Sequence, residues 1–182
     1  DRTDLFKDQL RAILRAGKSG RVGLMFPLIS GVGEVRRAKS LLTECIGELT
    51  ERGIDFNPDI AVGAMIEVPS AAMVAAEIAA EVDFLSIGTN DLVQYTVAVD
   101  RVNPRVAKLY RSAHPGIIRL IKNVVEGASQ HQIWTGIWIK VWIRVCMGPG
   151  PGPGPDPDLG PDPSLDLRPD PSLDPGPDLW SR

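Results

Sequence analysis

Glu67, Asn90, Asp91 and Arg101 are the residues whose types and spacing could do chemistry. Glu67 sits at the end of one apolar run, IAVGAMIEV (60–68), and Asp91 follows another, VDFLSIGTND (82–91), with Asn90 beside it. If those runs are neighbouring parallel strands, about 4.8 Å apart, both carboxylates leave over the same sheet edge. Two carboxylates completed by substrate oxygens and water are a common arrangement for magnesium, whereas two solvated turn acids are the simpler reading of an isolated pair. Gly88 lets the backbone turn or approach a ligand closely. Arg101, in AVDRVN, can clamp a phosphate or carboxylate with two parallel N–H bonds, or can be a surface arginine paired with Asp100. Thr89 and Gln94 read as hydrogen-bonding support for the site or, with slight preference, as caps of a helix starting near Leu92. His114 and His131 read as cap or surface residues, Met25 and Met65 as core filling, and Arg11 as an interface or surface charge.

The elements that must position these groups follow from hydrophobic period. Residues 4–16 place Leu5, Leu10, Ile13 and Leu14 on one helical face and stop at Gly17. Val22–Ile29 is a continuous apolar run too short for a helix, as are 60–68 and 82–87, and such runs suit strands buried on both faces. Helices are predicted over 32–52, from Pro69 through Ala80, and from His114-Pro115 to about Gln130, with a fourth strand beginning at Ile133. Three strand-to-helix units and the start of another indicate an α/β fold with a parallel sheet. Units of this length fit a doubly wound sheet or part of a (β/α)8 barrel; a closed barrel needs about 250 residues, more than the 182 present.

Composition narrows the function classes. Residues 137–182 hold Lys140, Arg144, Arg168 and Arg182 against seven aspartates, so the net charge of −3 resides there and residues 1–136 are neutral. With 5% aromatic residues and no basic surface, nucleic acid is excluded as an expected partner. No apolar stretch has membrane-spanning length, and DRTDLFKDQL lacks the pattern of a signal peptide, so no membrane association and a cytoplasmic location are expected. Cys45 and Cys146 lack metal or disulfide spacing. From Ile137 to Leu179 every second residue is Ile, Val, Met, Pro or Leu in an unbroken dipeptide register, which reads as translated repeat DNA. Two regions are therefore expected: 1–136, folded, and 137–182, a tail whose Pro/Gly/Asp-rich part beyond Met147 is expected to be disordered and whose alternating WIKVWIRV piece could prolong the fourth strand.

The segments DQLRAILRA, MFPLIS, GAMIEVPSAA, EVDFLSIGTNDLVQYTVAVDRVNP, HPGIIRLI and WTG closely resemble the phosphoenolpyruvate-utilising enzymes. Within them the resemblance is to the C-terminal, phosphoenolpyruvate-binding region of enzyme I of the bacterial sugar phosphotransferase system, with pyruvate phosphate dikinase or phosphoenolpyruvate synthase as the alternative. The resemblance implies a partial (β/α)8 TIM barrel of about four strand-helix units, Glu67 and Asp91 as Mg2+ ligands, and Asn90, Asp91 and Arg101 as phosphoenolpyruvate-binding residues. It also implies a phosphotransferase that passes phosphoryl from phosphoenolpyruvate to its own histidine and then to a phosphocarrier protein, and that forms a homodimer. In the family a catalytic cysteine stands where this chain has Trp138, so this chain alone is expected to be inactive; the alternative from another class is a non-catalytic truncated remnant or dimerisation module.

Overall fold

A computed structural model describes residues 2–20, 22–138 and 144–147, with side chains through Gly136. Helix α1 (Thr3–Ala16) leads into β1 (Gly23–Phe26), α2 (Val32–Glu51) and β2 (Ala61–Ile66). Two short helices, α3 (Pro69–Met73) and α4 (Ala75–Ala79), precede β3 (Phe84–Gly88) and α5 (Thr89–Val97). A 3-10 turn (Ala107–Leu109), α6 (Pro115–Gln130), β4 (Trp134–Trp138) and β5 (Arg144–Met147) complete the order. Strands β1 to β4 are parallel and adjacent in chain order. This is the α/β architecture expected of consecutive units from a barrel.

The two faces of the sheet differ. Leu24, Phe26, Val62, Ala64, Ile66, Leu85 and Ile87 alternate onto one face, where they are buried with Leu10, Leu14, Val35, Leu49, Ile78 and Val124 from the helices. The opposite face carries Gly23, Met25, Gly63, Met65, Phe84 and Trp134, with Met25, Met65, Phe84 and Trp134 only half-buried. Strands buried on both faces, with Met25 and Met65 as core filling, were the expectation; the helices cover one face alone. On the second face Phe84 lies over Gly63, where any β-carbon would fall 2.3 Å from the ring, and meets Trp134 edge-on at 6.1 Å between centroids.

The single helix predicted from Pro69 through Ala80 is broken at Val74, whose φ and ψ of −111° and 33° leave the helical region. Helix α6 explains how the break is tolerated. Asn123 donates its side-chain N–H to the Ala72 carbonyl at 2.6 Å, satisfying an acceptor at the interruption. One turn later Gly127 approaches so closely that a β-carbon there would lie 2.7 Å from the Ala76 amide nitrogen.

Beyond Gly136 the alternating segment was read as able to prolong the fourth strand; β4 does run on to Trp138, and Arg144–Met147 then pairs antiparallel with it, Thr135 with Met147 and Trp138 with Arg144. An alternating segment next to an open sheet edge satisfies its backbone groups by pairing back on itself. The tail expected to be disordered beyond Met147 lies outside the described residues.

Candidate metal and phosphate site

The site is built where β1, β2 and β3 end at one edge of the sheet. Glu67 follows the last residue of β2 and continues the Gly63, Met65 alternation, so its side chain rises on the half-open face. The residue is 5% exposed, and its Oε1 accepts the Leu28 N–H at 2.9 Å. Leu28 can present that N–H because Pro27 ends β1 and Leu28 takes a left-handed φ of 53°, unusual for a branched residue. Gly88 lies under the same carboxylate, with its would-be β-carbon 2.7 Å from Glu67 Oε2. Burial is the main force pushing the Glu67 carboxyl above its ordinary range; the Leu28 N–H opposes it, and the Asp91 charge adds to it.

Asp91 enters from β3. Helix α5 begins at Thr89, three residues before the predicted start near Leu92, with Gly88 at its N-cap and no side-chain cap bond. Asn90 and Asp91 therefore stand in the first helical turn, where a negative charge is favoured by the helix dipole. Thr89 lies inside the helix, and Gln94 is a loop anchor whose Oε1 accepts the Arg101 N–H at 3.2 Å. The capping role preferred for both is thus replaced by positions within α5.

Arg101 reaches back from the connection after α5, and its Nη1 donates to Asp91 Oδ1 at 2.8 Å. The alternative partner, Asp100, instead accepts the Val102 N–H at 2.9 Å. Asn90, Arg101, Val102, Ala107 and Tyr110 line a cavity of about 280 Å3 beside this pair. Glu67, Asn90, Asp91 and Arg101, picked out from sequence, are thus assembled at one place. Leu28 and Tyr110 were not picked out: a backbone N–H carries no side-chain signature, and Tyr110 lies nine residues beyond Arg101 in a segment without a periodic pattern.

The other candidates lie elsewhere. His114 caps α6, with its Nδ1 accepting the Gly116 N–H at 3.1 Å, and His131 follows the helix end. Arg11 pairs with Asp8 and Glu48 between α1 and α2. Cys45 is buried on α2, its thiol pushed up mainly by desolvation.

The donor set suits a hard divalent cation. A nearly buried carboxylate with one oxygen fixed by a backbone N–H stands beside a second carboxylate, and an arginine supplies compensating charge. Among the described residues no three His, Cys, Asp or Glu side chains converge, so a cation held here would need further oxygens from ligand and water. Also among the described residues, no helix is long and apolar enough to cross a membrane.

Comparison with known proteins identifies the family. The family model described as PEP-utilising enzyme, PEP-binding domain, matches residues 1–146. A phosphoenolpyruvate-protein phosphotransferase of Latilactobacillus sakei is 48% identical over 149 residues, covering 82% of this chain and 26% of that protein. The proteins of the same name from Mycoplasma capricolum and Priestia megaterium are 46% identical over 137 residues and 48% over 134 residues, covering 75% and 74% of this chain. The chain spans about a quarter of the length of the curated relatives it matches. A crystal structure of a citrate lyase from Burkholderia xenovorans LB400 shares the fold, with a TM-score of 0.55 and 22% identity over 72% of this chain and 40% of that one. With four fifths of its length matched by the family model and its carboxylates gathered at one strand edge, the chain belongs to the phosphoenolpyruvate-utilising enzymes and carries their PEP-binding domain.

Proposed function

We propose that residues 1–136 form part of the phosphoenolpyruvate-binding barrel of a phosphoenolpyruvate-protein phosphotransferase, with Glu67 and Asp91 holding Mg2+ and Asn90 and Arg101 binding the phosphoryl and carboxylate groups. The observation that carries this reading is the convergence of Glu67, Asp91 and Arg101, from three segments of the chain, at one edge of the sheet. When bound, the cation would supply neutralising charge to the phosphoryl oxygens. The chain's own residues supply placement. The Leu28 N–H fixes one Glu67 oxygen, the first turn of α5 presents Asn90 and Asp91, and Gln94 anchors the Arg101 backbone. The Arg101 guanidinium carries five N–H donors, and its bond to Asp91 leaves others for an oxyanion.

In the whole protein this site would feed phosphoryl to a histidine and then to a phosphocarrier protein, with a homodimer as the working assembly and the cytoplasm as its location. Residues 137–182 would be a separate appended segment. With Trp138 at the position of the family's cysteine, the 182-residue chain would bind ligand without completing phosphoryl transfer. Thermal melting tests the binding part: Mg2+ with phosphoenolpyruvate raises the melting temperature of the unaltered chain, and Glu67→Gln removes the Mg2+-dependent part of that rise. A rise of equal size in Glu67→Gln, or none in the unaltered chain, would refute the assignment.

A further inference from the structure

Asn90 and Arg101 belong to different segments, the first turn of α5 and the exposed connection that follows it, and Tyr110 joins the two. Its Oη donates to the Asn90 main-chain carbonyl at 3.1 Å. Its phenol also lies within reach of the Arg101 guanidinium, and its ring lines the same cavity as Asn90 and Arg101. Around it the connection is poorly covered, with Val102 79% and Leu109 56% exposed, whereas Tyr110 itself is half-buried. A carbonyl oxygen has two lone pairs, so the hydroxyl can bind it without displacing a helical N–H.

We propose that Tyr110 is a positioning residue of the anion site, holding Asn90 and Arg101 at the separation needed by a small phosphorylated carboxylic acid. The proposal rests on the phosphoenolpyruvate reading above. Tyr110 anchors the carbonyl of the residue before Asp91 and faces the same guanidinium that Asp91 binds, so it acts on the arginine's side of the site; Glu67 is held separately, by Leu28. Loss of the hydroxyl should therefore loosen the anion-binding pair while leaving the carboxylate pair in place.

Tyr110→Phe keeps the ring and removes the hydroxyl. In the full chain with Mg2+, calorimetry should show phosphoenolpyruvate affinity weakened roughly five- to tenfold, the scale of one lost hydrogen bond. Mn2+ affinity without phosphoenolpyruvate should stay unchanged, and the melting temperature should fall by no more than the few degrees that one lost hydrogen bond costs. With tyrosines labelled at 13Cζ, adding phosphoenolpyruvate and Mg2+ should move the resonance that Tyr110→Phe deletes and leave that of exposed Tyr95 in place. Unchanged phosphoenolpyruvate affinity in Tyr110→Phe, a still Tyr110 resonance, or a parallel fall in Mn2+ affinity and melting temperature would overturn the positioning role alone. Absence of phosphoenolpyruvate binding by the unaltered chain would instead overturn the functional reading and this role with it.

Discussion

Gly88 and Glu67 share one space: a β-carbon on residue 88 would lie 2.7 Å from Glu67 Oε2 and 2.9 Å from Glu67 Cβ. The glycine at the end of β3 is therefore required by the carboxylate at the end of β2. Register enforces the meeting, since Ile66 pairs with Ile87 and the next residue of each strand turns to the half-open face.

Gly88→Ala should accordingly displace the Glu67 carboxylate and weaken divalent-cation binding by at least tenfold, with a stability loss of about 1–3 kcal/mol from overpacking. Calorimetric Mn2+ titration paired with urea unfolding checks this. Unaltered Mn2+ affinity in a folded Gly88→Ala chain would show that the carboxylate does not depend on the space above Gly88.

Helix α6 should be intolerant at two positions with different chemistry. Asn123→Ala leaves the Ala72 carbonyl without its donor, a loss of about 1–3 kcal/mol. Gly127→Val drives branched carbon into the Ala76 backbone and should cost at least as much. Denaturant unfolding should show both losses, with Ser129→Ala, an exposed site on the same helix, within about 0.5 kcal/mol of the parent.

The α1–α2 contact sets an acid limit on stability. Lys7 first, then Arg11, hold the Glu48 carboxyl below its ordinary value of 4.5. A depressed folded-state acid contributes stability that is present above its unfolded value and lost as pH falls through its folded value. Melting temperature should therefore fall below pH 4.5, and Glu48→Gln should flatten that part of the profile. Equal slopes for Glu48→Gln and the parent chain would remove this pair as a cause.

Much of the fold was legible because long periodic segments such as 32–51 and 115–130 and short apolar runs such as 61–66 each favour one conformation. Glu67 and Asp91 were legible for a related reason: in a parallel sheet, the end of each strand is a fixed address. The break at Val74 was not, because Ala-rich 69–80 is locally helical throughout and the interruption depends on Asn123 and Gly127, some fifty residues away. The left-handed Leu28 was equally silent, its reason being the Glu67 carboxylate it serves. The β4–β5 hairpin was hidden by an alternation that suits one long strand and two short ones alike.

The edge carrying Glu67, Asp91 and Arg101 should bind a divalent cation and phosphoenolpyruvate together, which 31P relaxation of phosphoenolpyruvate by protein-bound Mn2+ reads out. Strong 31P broadening is expected with the unaltered chain, lost in Asp91→Ala because the cation is lost, and lost in Arg101→Ala while Mn2+ affinity persists. Broadening that survives Asp91→Ala, or Mn2+ that binds without relaxing the phosphoenolpyruvate phosphorus, would contradict it.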